Sequence, residues 1–109
     1  MRYVVEVTAT AEYEAEAAFH WLSERTSVHA VRWIDGLHDA IRGLAEFPAR
    51  WPLARERGIF GEDIRQLLYG KAPYVYRVLF IIRANIVHVL HVRHGARRAM
   101  TPDDLVWPE

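Results

Sequence analysis

Tyr76-Arg77-Val78-Leu79-Phe80-Ile81-Ile82-Arg83-Ala84-Asn85-Ile86-Val87-His88-Val89-Leu90-His91-Val92-Arg93-His94 decides the fold. β-Branched and aromatic residues crowd both halves of the run, and only Ala84-Asn85 interrupts it. Such a composition reads as two strands joined by a tight hairpin. Upstream, Ile64-Arg65-Gln66-Leu67-Leu68 opens a third strand-like run over 64–69, separated by residues 70–73 from a strand over 74–83, with the last strand over 86–94. Short separators imply an antiparallel three-strand meander. Nearer the N-terminus, Tyr3, Val5 and Val7 alternate with Val4, Glu6 and Thr8, the period of a first strand with one wetter face.

Between that strand and the meander the period changes to that of helices. Thr8 or Thr10 can cap a helix over 9–25, in which Ala11, Ala15, Ala18 and Leu22 recur at helical spacing. Ser27 can cap a second, over 28–46, whose expected apolar stripe is Val31, Ile34, Leu37, Ile41 and Leu44. The short connection makes these an antiparallel hairpin. Pro48 ends the second helix, and residues 47–63 form the one long irregular connection, containing Trp51, Arg55 and Arg57. The expected architecture is α+β, one domain over 1–109: a strand, a helical hairpin, and a three-strand antiparallel meander packed on the helices.

Composition narrows the function classes. The 109 residues include no cysteine, which removes thiol chemistry, Cys-based zinc sites and disulfides. Residues 1–6 open no long apolar run, and no stretch reaches the roughly 20 apolar residues of a membrane span, so a cytoplasmic protein without membrane contact is expected. The formal net charge of zero hides an asymmetry: from Ile64 to Pro102 there is no Asp or Glu, yet Arg65, Lys71, Arg77, Arg83, Arg93, Arg97 and Arg98 all fall there. That segregation suggests an anionic partner, nucleic acid or an acidic protein segment. Arginine's planar fork suits phosphate or carboxylate recognition.

The six histidines do not make a metal site by spacing. In a regular strand His88 and His91 point to opposite faces, and His88 and His94 share one but lie about 20 Å apart at about 3.3 Å per residue. His20, His29 and His38 lack an HExxH-type spacing, Gly58 and Gly61 lack a phosphate-loop pattern, and Ser23 and Ser27 are poorly placed for a triad. No metal and no cofactor is expected.

The chain resembles the RelE/ParE toxins of bacterial type II toxin–antitoxin systems, the plasmid stabilisation family. The resemblance rests on the order of its elements from the first strand nearly to Thr101: a second helix ending in Leu-x-x-x-Pro (Leu44, Pro48), an Ile-Arg strand (Ile64, Arg65), a Tyr-Arg-x-x-aromatic strand (Tyr76, Arg77, Phe80), and a closing His-Gly-x-Arg (His94, Gly95, Arg97). It implies a growth-inhibiting toxin neutralised by a cognate antitoxin, by either of two activities. ParE-like members poison DNA gyrase; RelE-like members enter the ribosome and cut messenger RNA. Under the second, Arg77 would stabilise charge developing on the phosphate, His94 would be the general acid, and Glu62, or its neighbour Asp63, the base. Arg97 and Arg65 would add phosphate contacts. For binding RNA or an acidic antitoxin segment, the resemblance offers Arg65, Arg77, Arg83, Arg93, Arg97 and Arg98. Each has a plainer reading: Arg77 as a solvated strand arginine, His94 as a turn residue bonding the backbone at Gly95, Arg65 as a surface charge.

The chain departs from the nuclease pattern in lacking a lysine-rich element, in its zero net charge, and in having no tyrosine after His94. The long helical hairpin and the His-Gly-Ala-Arg ending look more like ParE, so gyrase poisoning ranks ahead of messenger cleavage, with a non-toxic family member as a third reading. The antitoxin is expected to lay an acidic, partly disordered segment over the basic sheet, giving a hetero-oligomer. Trp51 and Trp107 are candidate interface aromatics.

Overall fold

Residues 2–56, 61–97 and 104 are described by the computed structural model. In chain order the elements are β1 (Val4–Val7), α1 (Ala9–Ser23), α2 (Ser27–Arg42), 3-10 turns at Gly43–Ala45 and Pro48–Arg50, then β2 (Arg65–Tyr69), β3 (Tyr76–Arg83) and β4 (Ile86–His94). This is the α+β arrangement the sequence predicts. Thr8 caps α1: its backbone is extended and its Oγ1 accepts the Ala11 N–H at 3.1 Å. Both helices end earlier than their periodicity suggests. The chain tightens at Gly43, a poor helix former, so the last turn before Pro48 is 3-10.

The buried stripe of α2 is also rotated from the expected one. Ala30, Trp33, Leu37 and Ile41 are buried, whereas Val31 is 53% exposed. Trp33 explains the rotation. An indole buries far more area than a valine, and its ring meets Tyr69 and Tyr76 edge-on at centroid distances of 5.9 and 5.0 Å. Gly36 sits where a Cβ would collide with the Tyr69 hydroxyl, and its bareness lets that hydroxyl donate to the Trp33 carbonyl at 2.8 Å.

The sheet order is β1-β4-β3-β2, with β1 parallel to β4 and β4-β3-β2 an antiparallel meander. One face packs against α1 and α2 through Val78, Phe80, Val87, Val89 and Val92. The small residues Ala11, Ala15 and Ala18 on α1 allow that helix to lie close to β4. On the opposite face a second, smaller cluster joins Leu79, Ile81 and Leu90 to Ala54 and Ile64 from the long connection. That connection is tied to the sheet by Ala54 N–H to the Ile64 carbonyl at 2.7 Å and Gln66 N–H to the Pro52 carbonyl at 3.0 Å.

A β-bulge breaks the alternation of β4. Phe80 stands opposite Val89, but its neighbour Leu79 stands opposite His91, so β4 carries one extra residue there. The strand's parity reverses beyond it. His91 therefore shares the outer face with His88, opposite Leu79 and Ile81, while His94 pairs with Tyr76 on the helix side. This corrects the assignment made from a regular strand, in which His88 and His94 share a face. Among the described residues no three His, Asp or Glu side chains group tightly enough to hold a metal ion. No helix among them is long and apolar enough to cross a membrane.

Candidate functional site

Arg77, which heads the expected catalytic set, lies on the outer face of the sheet. Register fixes its orientation: Val78 and Tyr76 face the helices, so Arg77 faces away, opposite Leu68 on β2 and Arg93 on β4. It is not a solvated arginine. Arg77 is 3% exposed, its NH2 and NH1 bond the two oxygens of Glu56 at 2.5 and 3.0 Å, and its Nε donates to Gln66 Oε1 at 2.9 Å. Glu56 is itself fully buried. Three of the guanidinium's donor directions are thus committed to the protein, and an exposed phosphate-holding Arg77 is corrected to the cationic half of an interior ion pair.

The other members of the expected catalytic set do not join it. Glu62 sits at the far end of β3, where its carboxylate takes a two-pronged contact from Arg83, Nε at 3.0 Å and NH2 at 2.6 Å. That guanidinium, chiefly through its hydrogen bonds, holds the Glu62 carboxyl below the ordinary range. Arg83 lies six residues along the strand from Arg77, about 20 Å at 3.3 Å per residue. Glu62 and Arg77 cannot act on one phosphate. Asp63 is exposed beside it.

His94 is close to Arg77 along the sheet but chemically occupied. Its Nε2 lies 2.9 Å from the Pro73 carbonyl and its Nδ1 3.1 Å from the Ala96 N–H. A carbonyl only accepts and an amide only donates, so this pair of contacts assigns the neutral ring with its proton on Nε2. The tyrosine ring of Tyr76 packs edge-on against it at 5.2 Å. The turn role considered for His94 fits this geometry, with Ala96 in place of Gly95 as the backbone partner.

The remaining arginines divide by place. Arg65 donates from NH1 to the Trp51 carbonyl at 2.7 Å and pairs in register with Phe80, so it braces the long connection on the helix side. Arg93 is buried beneath the same rim as Arg97, which is exposed. Arg55 reaches the Arg97 carbonyl with NH2 at 3.1 Å. Arg98 and Trp107 lie outside the described residues. A shallow cavity of about 390 Å³ opens between Arg55, Leu68, Val75 and Arg77, and a second of about 550 Å³ between Tyr13, Trp21, Arg93, His94 and Arg97.

Two groups that sequence reasoning missed reshape the electrostatics. Glu56 neutralises Arg77, and Glu14 on α1 takes the Val92 N–H at 3.1 Å and lies 3.0 Å from His91 Nδ1. Nothing in the sequence marks Glu56: it sits among Arg55 and Arg57 in an irregular stretch, 21 residues from its partner. At Arg77 and Arg83 the acid-free run is therefore answered in space by acids from elsewhere. What remains open on this side is the Arg55 and Arg97 end.

Comparison with known proteins agrees with the geometry. The solved structure described as "Chromosomal ParDE TA system from P. aeruginosa" superposes with a TM-score of 0.67 over 85% of this chain and 96% of that one, at 12% identity, which is a likeness of fold. No curated protein sequence matches. The family model for the ParE toxin of type II toxin-antitoxin system, parDE, matches residues 5–99. That match spans β1 through the His94-Gly95-Ala96-Arg97 ending, and the chain belongs to the ParE toxin family.

Proposed function

We propose that the chain is the toxin of a type II toxin–antitoxin pair and acts on DNA gyrase as a protein-binding poison, without nuclease chemistry of its own. The observation that carries this reading is the dispersal of the would-be nuclease groups. Arg77 is bound to Glu56, Glu62 to Arg83 at the opposite end of β3, and both nitrogens of His94 to backbone. Acid–base catalysis of RNA cleavage requires such groups within hydrogen-bond reach of one phosphate. A toxin that works by occupying a surface requires no such convergence.

A cognate antitoxin follows from the family. In this reading its acidic segment meets the Arg55 and Arg97 rim, since Arg77 is interior and Arg83 is already paired. Purified chain is added to a gyrase supercoiling reaction, and in parallel to a cell-free translation reaction whose messenger is followed by primer extension. Accumulating gyrase-dependent double-strand breaks with intact messenger is the expected result. Ribosome-dependent cuts would replace this reading with messenger cleavage, and inactivity in both would make the chain a non-toxic relative.

A further inference from the structure

On the helix layer, away from the arginine face, a groove of about 660 Å³ opens between the end of α1, the first turns of α2 and the turn from β2 to β3. Its size falls within the roughly 300–1,000 Å³ of ligand-receiving clefts. Its chemistry is one-sided. Leu22, Trp33 and Tyr74 make an apolar wall, His29, Arg32 and Lys71 stand exposed along it, and no carboxylate lines it. Four arginines elsewhere are answered by carboxylates: Arg2 by Glu46, Arg42 by Asp39, Arg77 by Glu56, Arg83 by Glu62. Among the described residues no carboxylate comes within ion-pairing distance of His29, Arg32 or Lys71.

The wall favours a polypeptide over a nucleic acid. Trp33 is nine-tenths buried and its ring is engaged edge-on by Tyr69 and Tyr76, while Tyr74 is engaged edge-on with Trp21. Stacking of bases requires open aromatic faces. Trp33 Nε1 finds no hydrogen-bond partner among the described residues and lies behind Gly70, 3.7 Å from where a Cβ would stand. Gly70 has φ of +98°, and a Cβ there would strike the Tyr74 carbonyl, so the turn lies tightly over the indole edge.

We propose that this groove receives an acidic segment of the cognate antitoxin, with carboxylates against His29, Arg32 and Lys71 and an apolar side chain against Leu22, Trp33 and Tyr74. The proposal rests on the toxin–antitoxin reading and adds to it a second contact, between α1, α2 and the turn from β2 to β3. An unfolded acidic segment can reach both places, because it orders only as it binds.

The test is calorimetric titration of full-length antitoxin into the wild-type chain and into Arg32→Glu/Lys71→Glu, at several salt concentrations. Both side chains are exposed and, among the described residues, without an ion-pair partner, so folding is not at stake; a matching thermal melt verifies this. The expected result is a Kd raised at least tenfold with a shallower salt dependence, together with movement of the Trp33 indole N–H resonance on binding to wild type. A Kd within twofold of wild type, with the indole resonance still, overturns the proposal alone. If the wild-type chain binds no antitoxin, the proposal falls together with the reading beneath it. If the double variant instead loses retention of a single-stranded oligonucleotide while antitoxin affinity holds, the groove belongs to nucleic acid and the proposal is overturned.

Discussion

Glu56 grips both terminal nitrogens of Arg77, at 2.5 and 3.0 Å, with neither side chain more than 4% exposed. Taking one partner away leaves an uncompensated charge in the interior, an effect of about 3–5 kcal/mol. Glu56→Ala and Arg77→Ala should each lower unfolding stability by that amount in urea denaturation, and the double variant should lose much less than their sum. Single losses under about 1 kcal/mol would show that the pair opens to water. The consequence for function is practical: lost toxicity in an Arg77 variant reports unfolding before it reports chemistry, so the contrast of interest is Glu56→Ala against Arg77→Ala.

His94 joins two turns, donating from Nε2 toward Pro73 and accepting at Nδ1 from Ala96. Two such bonds, at about 0.5–1.5 kcal/mol each, put the cost of His94→Ala at about 1–3 kcal/mol. Nitrogen-15 spectra of the neutral ring should place its proton on Nε2. A proton found on Nδ1, or a variant as stable as wild type, would contradict the clamp.

The meander, the helical hairpin and the Thr8 cap were legible because each is local: strand alternation, helical spacing and a hydroxyl three residues before its amide. What escaped was set by partners distant in sequence. The parallel seat of β1 beside β4 joins Val4 to Ile86, and the Arg77–Glu56 pair spans a connection with no pattern of its own. The bulge at Leu79/Phe80 has no composition signal, yet it reverses every side chain after it, and the histidine geometry turned on that one residue. Of the arginines offered as binding residues, Arg83 and Arg97 are the exposed ones among the described residues, and Arg83 is already paired with Glu62. A linear charge count cannot know that Arg77, Arg83 and Arg65 have folded partners.

The rotated stripe on α2 gives a paired test. Trp33 fills the space between α2 and the Tyr69 and Tyr76 rings, whereas Val31, the residue periodicity favoured, is 53% exposed. Trp33→Ala should cost about 3–5 kcal/mol and Val31→Ala no more than about 0.5. Denaturation of the two variants side by side decides it, and comparable losses would restore the stripe read from the sequence.

The Glu62–Arg83 pair predicts a pH dependence with a definite sign. Hydrogen bonding to Arg83 lowers the folded-state pKa of Glu62, while the unfolded chain keeps the ordinary carboxylate value. A depressed folded pKa means the unfolded state takes up a proton first on acidification. The pair's contribution is therefore fully present above the ordinary carboxylate range, and is lost as pH falls through the depressed value. Arg83 stays charged throughout. A carboxyl carbon-13 titration should find Glu62 below the ordinary range in the wild type and returned to it in Arg83→Ala, and the melting difference between the two proteins should shrink as the solution is acidified. Because the pair is exposed, salt should shrink it too. An unchanged Glu62 titration in Arg83→Ala would mean that the two-pronged contact does not persist in solution.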